Sequence, residues 1–296
     1  MRRAAARCAL LGFAGLAACA GGLPSAARLN PCEGKLGVSG RAEGTRFAIE
    51  ARNDCHVPVV LVLSFELDNL RASRALPVEV ALAPGERLHV LDLEVVRAGR
   101  PSSYRAESLL QIGGAPHPDP AARYAFPFGG DRPRRLSQGI DGLTHEGIHR
   151  YSFDFEVPVG TPVQAARDGV VFEVRDGYGE GSTHEPGERG NLVVVWHADG
   201  TFALYGHLLK GVCAREGDAV RAGDFLAWSG NSGFTTGPHL HFGVGTVTGA
   251  NGELETIPIL FTGDVVPETN GSYGPGASAR AAPPASRCDA QGGRGS

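Results

Sequence analysis

A chain of 296 residues with 42% hydrophobic content has room for two domains, each able to bury a core. A formal charge of −4 excludes the general nucleic-acid binding that a strongly basic face supports, so no nucleic-acid partner is expected. At the amino terminus, Met1-Arg2-Arg3 precedes an apolar run from Cys8 to Ala20. This is the charged-then-hydrophobic order of a secretory signal, too short to span a bilayer comfortably.

The run ends in Leu16-Ala17-Ala18-Cys19, which resembles a bacterial lipobox. Residues 1–18 are therefore expected to be a lipoprotein signal peptide, with Cys19 the lipidated residue and an amino-terminal lipid anchor in the membrane. Ala20 favours the outer membrane where the cell has one. The alternative is an ordinary signal peptide with an incidental cysteine. No later stretch is apolar enough to span a bilayer.

Residues 30–114 consist of short apolar runs between turn residues, among them Val57 to Phe65, Val78 to Leu82 and Leu88 to Val95, with Ala83-Pro84-Gly85-Glu86 as a turn. Strands at this spacing predict a β-sandwich-like accessory domain. His56 and His89 stand alone in it and read as structural or exposed residues, so its expected task is spacing or docking.

Residues 115–123 begin Ala-Pro-His-Pro-Asp-Pro, which disfavours helix and reads as a linker. A second domain follows over 124–264. In it Asn191 to His197 and Thr201 to Tyr205 are strands joined at Ala198-Asp199-Gly200, a hairpin signal. Gly-rich residues 176–190 read as a loop. Asp168, Asp199, Asp218 and Asp224 adjoin glycines or turns and read as turn residues, and His184 and His197 as surface residues. The tail, 265–296, is rich in Gly, Ala, Pro and Ser and is expected to be mostly disordered.

With Cys8 in the signal and Cys19 at the lipid site, four of the six cysteines remain, and an exported chain permits disulfides. Three pairings are open to Cys32, Cys55, Cys213 and Cys288. Pairing within the first domain, Cys32 with Cys55, is favoured and leaves Cys213 with Cys288. None of the four has Cys-x-x-Cys spacing, so they are not read as metal ligands.

The chemistry concentrates in Gly237-Pro238-His239-Leu240-His241-Phe242. Side chains alternate along a strand, so His239 and His241 point into one pocket while Leu240 faces the other layer. Two imidazoles on one face suit a metal, but catalytic zinc takes three protein ligands and keeps one position open. The rest must come from elsewhere: upstream, His145 and Asp154 bracket residues 146–153, just before Val157-Pro158-Val159-Gly160-Thr161-Pro162-Val163, and between the two halves lies Tyr205-Gly206-His207-Leu208.

From about Tyr124 to Thr262 these blocks, in this order, resemble the lysostaphin/LytM-type zinc metalloendopeptidases, which cut peptide bonds in bacterial peptidoglycan. The resemblance implies a mainly β chain, with an antiparallel β LytM-type (duplicated hybrid motif) peptidase domain after the β-sandwich-like one. It implies one Zn2+ per chain, held by His145, Asp154 and His241, with His207 and His239 as catalytic histidines and the peptidoglycan peptide as substrate partner. In the commonest family form the first ligand lies four residues before the Asp, where this chain has Arg150. The segment Thr144-His145 through Tyr151-Ser152-Phe153-Asp154-Phe155 instead resembles a branch with a longer insert. That places the ligand at His145, with His149 as competitor. The tyrosine that assists the transition state in relatives has no counterpart between Leu136 and Thr144, and the loop at 176–190 is implied to wall the substrate groove. Two rival readings are a non-catalytic activator of a cell-wall amidase and a metallopeptidase acting on a protein.

Overall fold

The computed structural model describes residues 5–6, 32, 34–130, 132–179, 190–248 and 253–274. The expected lipidation site Cys19, the loop residue His184, Cys288 and the tail from residue 275 lie outside these residues. The chain forms two compact units, one running to Ala115 and the other beginning at Pro116. No α-helix occurs among the described residues.

The first unit contains strands β1 (Ala5–Ala6), β2 (Leu36–Glu43), β3 (Arg46–Asn53), β4 (Val59–Asp68), β5 (Leu70–Ala72), β6 (Val78–Leu82), β7 (Arg87–Val95) and β8 (Ser103–Ile112). They form two four-stranded antiparallel sheets, ordered β1-β8-β4-β6 and β2-β3-β7-β5. Period-two burial explains the layering. Val59, Leu61 and Leu63 of β4 and Val78, Val80 and Leu82 of β6 join Ile49, Ala51, Leu91 and Leu93 of the other sheet in one apolar core. A Cys32–Cys55 disulfide, with Cα atoms 5.4 Å apart, closes the entry to this unit. Beside it the buried Asn53 donates from Nδ2 to the carbonyls of Val57 and Leu82 at 3.0 and 3.1 Å and accepts the Cys55 amide at 2.9 Å. His56 and His89 are exposed.

The second unit contains β9 (Arg134–Gln138), β10 (Phe153–Phe155), β11 (Pro162–Gln164), β12 (Gly169–Arg175), β13 (Asn191–Trp196), β14 (Thr201–Leu208), β15 (Ala219–Val220), β16 (Phe225–Trp228), β17 (Leu240–Thr248), β18 (Glu253–Thr256) and β19 (Ser272–Tyr273). Its main sheet is antiparallel and runs β15-β12-β13-β14-β17-β10-β9-β19, with β18 also on β17 and the β11–β16 pair separate. The core beneath it is strongly aromatic. Phe126 stacks on Phe261 at 4.6 Å between ring centroids, and Phe128, Phe153, Phe155 and Phe242 are fully buried around them.

One sequence expectation fails here, and one stretch carries more structure than its composition suggested. Within 265–296, read as mostly disordered, β19 pairs with β9, and the Tyr273 ring stacks on Phe126 at 5.5 Å. One aromatic side chain in a Gly-rich context supplies the apolar surface that composition averaged away. His197, read as a surface residue, is fully buried. Its Nδ1–H donates to the Asp168 carbonyl at 2.8 Å, and its ring meets Tyr124 edge-on. The segment read as a linker docks on the β13–β14 turn: Asp199 receives the amides of His117, through its carbonyl, and of Asp119, through its carboxylate.

Candidate metal centre

Strand register builds this site. β17 lies between β10 and β14, so His241 is paired with Asp154 on one side and with Gly206 on the other. An added Cβ on Gly206 would stand 3.3 Å from the His241 Cβ, so the small residue leaves the imidazole its place. His207 follows Gly206 at the end of β14, and His239 precedes β17 by one residue. Three histidines and a carboxylate from separate stretches of the chain thus meet beside these strands.

Atoms converge on Asp154 Oδ1. His241 Nδ1 lies 2.8 Å from it, His145 Nε2 3.2 Å and His239 Nε2 3.7 Å. The ligand atoms of His145, Asp154 and His241 all lie within 4.8 Å of one another. Ligands about 2.1 Å from a tetrahedral zinc stand roughly 3.4 Å apart, so the spacing suits that ion. His149 is not in this group. It is exposed in the turn Gly147–His149, its ring 6.0 Å from that of His241.

Protonation tests the fit. His145 is 1% exposed, and its Nδ1–H donates to the Gly139 carbonyl at 2.9 Å, so Nε2 is the atom turned to Asp154. It stands 3.2 Å from Asp154 Oδ1, and without a proton or a metal ion between them the two would be buried acceptors facing each other. Burial alone would raise the Asp154 pKa, but hydrogen bonds from His145 and His241 hold it well below the carboxylate range. For His145 burial opposes the charged form, yet Asp154 outweighs it and raises the pKa. The field that attracts a proton here also attracts a divalent metal.

His207 and His239 flank the three donors. Their rings lie 4.5 Å apart, and His207 is 6.0 Å from His241. His207 Nδ1–H donates to the Ser232 carbonyl, and His239 Nδ1–H to that of Gly237, each at 2.8 Å. Each ring is thus oriented by a backbone carbonyl, and a neutral His207 has its lone pair at Nε2. Burial and the imidazoles of His239 and His241 push the His207 pKa down to about 4, which keeps it neutral at pH 7. His207 has φ +58°, unusual for a side chain of this size, and its carbonyl is held by the Gly230 amide at 3.0 Å.

The remaining blocks support this arrangement. The Ser229 hydroxyl accepts the Thr161 amide at 2.9 Å and donates to the Pro158 carbonyl at 2.7 Å, tying the Gly-Thr-Pro segment to the glycine-rich loop before His239. Tyr205, fully buried, accepts the Ala166 amide through its hydroxyl at 2.8 Å. A cleft of about 790 Å³ opens beside His145, lined by Glu146, Tyr151 and Thr256 among others.

Residues 148–252 match the model of peptidase family M23. The chain carries an M23 peptidase domain. Within it the chain is 40% identical over 105 residues to glycyl-glycine endopeptidase ALE-1 of Staphylococcus capitis, covering 35% of this chain and 25% of that protein. It is 39% identical over 111 residues to peptidoglycan DD-endopeptidase ShyA of Vibrio cholerae, covering 37% and 22%. The solved catalytic domain of the prophage-encoded M23 protein EnpA of Enterococcus faecalis is 30% identical, covers 44% of this chain and 92% of its own, and has a TM-score of 0.34. The chain spans about a quarter of the length of the curated relatives it matches. The M23 match starts at Ile148, so His145 lies just before it and Asp154, His207, His239 and His241 within it.

Among the expected disulfide residues, Cys32 and Cys55 are joined, and Cys213 is disulfide-bonded while Cys288 lies outside the described residues. Gln138 was not singled out by the sequence. It is the register partner of Asp154, a pairing that no motif spacing announces.

Proposed function

We propose that this chain is a zinc metalloendopeptidase that hydrolyses peptide bonds in bacterial peptidoglycan. The observation that carries the reading is the convergence of His145, Asp154 and His241 beside two imidazoles held by backbone carbonyls, in an M23 domain. ShyA, by its name, is an endopeptidase acting on peptidoglycan. A non-catalytic amidase activator needs no such donor set, and the set is intact here.

In this reading His145, Asp154 and His241 hold one zinc ion. Bound there, zinc supplies Lewis acidity that polarises a carbonyl and brings the pKa of water towards neutrality. His207, neutral at pH 7, takes a proton at Nε2 and returns it to the leaving amine. His239, fixed by the Gly237 carbonyl, serves either that proton transfer or the developing oxyanion. The first unit acts as a spacer or docking module on an exported protein anchored through Cys19.

The test is digestion of purified peptidoglycan by the zinc-loaded chain, followed by labelling of new amino termini. New termini that disappear on chelation and return with zinc are the expected result. Intact peptidoglycan alongside cleavage of a protein substrate would move the reading to a different metallopeptidase.

A further inference from the structure

Gln138 ends β9, half-buried, and all its amide atoms within reach of the site are engaged. Its Nε2 donates to Asp154 Oδ2 at 2.8 Å and to Thr144 Oγ1 at 2.7 Å, and its Oε1 accepts the Thr144 amide at 2.8 Å. The Thr144 N–H can only donate, so the amide orientation is fixed: the oxygen faces Thr144 and the nitrogen faces Asp154. The next residue, Gly139, accepts the His145 Nδ1–H through its carbonyl. Two adjacent residues therefore hold two of the three candidate ligands.

A second observation is independent of these hydrogen bonds. A Cβ built on Gly142 would stand 2.1 Å from Gln138 Cγ, 2.9 Å from its Cδ and 2.9 Å from the Gly139 carbonyl oxygen. No positive φ is associated with Gly142, so glycine here gives space and not a special backbone conformation. The loop from Gly139 to His145 is wrapped on the Gln138 side chain, closed by the Gly142 amide on the Gly139 carbonyl at 3.1 Å and the His145 amide on the Gly142 carbonyl at 2.9 Å.

We infer that Gln138 is a positioning residue of the metal centre: it occupies Asp154 Oδ2, so that Oδ1 turns to the metal, and through Thr144 it sets the loop that delivers His145. This rests on the reading of His145, Asp154 and His241 as ligands. Groups that orient metal ligands contribute strongly to affinity without touching the ion.

The experiment measures zinc affinity of the full chain by competition with a chromophoric chelator, together with the melting temperature of each zinc-free protein. Gln138→Ala should bind zinc 10- to 100-fold more weakly, with the zinc-free melting temperature close to the parent's. Gly142→Ala, whose methyl displaces Gln138 and presses on the Gly139 carbonyl that holds His145, should weaken zinc as well. Parent-like zinc affinity in Gln138→Ala overturns the inference and leaves the metal site standing. A parent chain that binds no zinc overturns the underlying reading itself.

Discussion

His241 Nδ1 and Asp154 Oδ1 stand 2.8 Å apart because the two residues are register partners across β17 and β10. A contact spanning 87 residues of sequence is thus set by backbone pairing, and the side chains need only their ordinary outward directions to meet.

The roles of the histidines separate in zinc content. His145→Ala and His241→Ala should each lose the ion, whereas His207→Ala and His239→Ala should keep about one zinc per chain and lose hydrolysis by a factor on the order of 10² or more. Elemental analysis beside a peptidoglycan assay reads both. Equal zinc loss in His239→Ala and His241→Ala would overturn the division, and zinc lost with His149→Ala alone would shift the ligand to that residue.

Stability of the second unit should fall in mild acid. Burial lowers the His197 pKa from 6.5 to about 4, so the folded state holds it neutral while the unfolded chain protonates near 6.5. The unfolded state then binds more protons between these values, and stability drops as pH falls from about 6.5 to about 4, levelling below. The shift sets an upper scale of about 3 kcal/mol. Urea unfolding at pH 7 and pH 4.5 should show this loss, and His197→Leu should reduce the pH-dependent part of it.

Asn191 is fully buried, accepts the Tyr178 amide at 2.9 Å, and donates to the carbonyls of Tyr178 and Leu208 at 2.8 and 3.0 Å. Asn191→Ala leaves these groups unpaired and should cost about 1–3 kcal/mol, read as a lower urea midpoint. Activity should fall as well, since Leu208 follows His207 and its carbonyl also receives the Ser232 hydroxyl.

Cys32→Ser or Cys55→Ser opens a crosslink between residues 23 apart and should destabilise the first unit by about 3 kcal/mol. Zinc content should stay unchanged, because the candidate ligands all belong to the second unit.

Much of the site was legible because its chemistry is local in sequence. His239-x-His241 declares a shared strand face, and Gly-Thr-Pro with Tyr-Gly-His-Leu marks segments whose backbone is held in one way. The sandwich was legible from the alternation in Val59, Leu61 and Leu63. What stayed hidden depends on pairing between distant strands. Gln138 looks like any polar strand residue until β9 is laid beside β10. His197 precedes a turn, which suggests exposure, yet its imidazole is covered in the fold and turned onto the Asp168 carbonyl. Tyr273 is a single aromatic in a polar stretch and acquires significance only from the Phe126 ring beneath it.

The three candidate ligands are not held alike. Asp154 and His241 lie in paired strands within the sheet, so their backbones cannot move away without breaking β10 from β17. His145 sits outside any strand, on the loop that leaves Gly139 and returns at Ser152. In the proposed centre, metal exchange therefore proceeds by opening of that loop alone. Its rate is set by a local fluctuation far less costly than unfolding the domain, so zinc can be lost to a chelator while the sheet still shows full hydrogen-exchange protection.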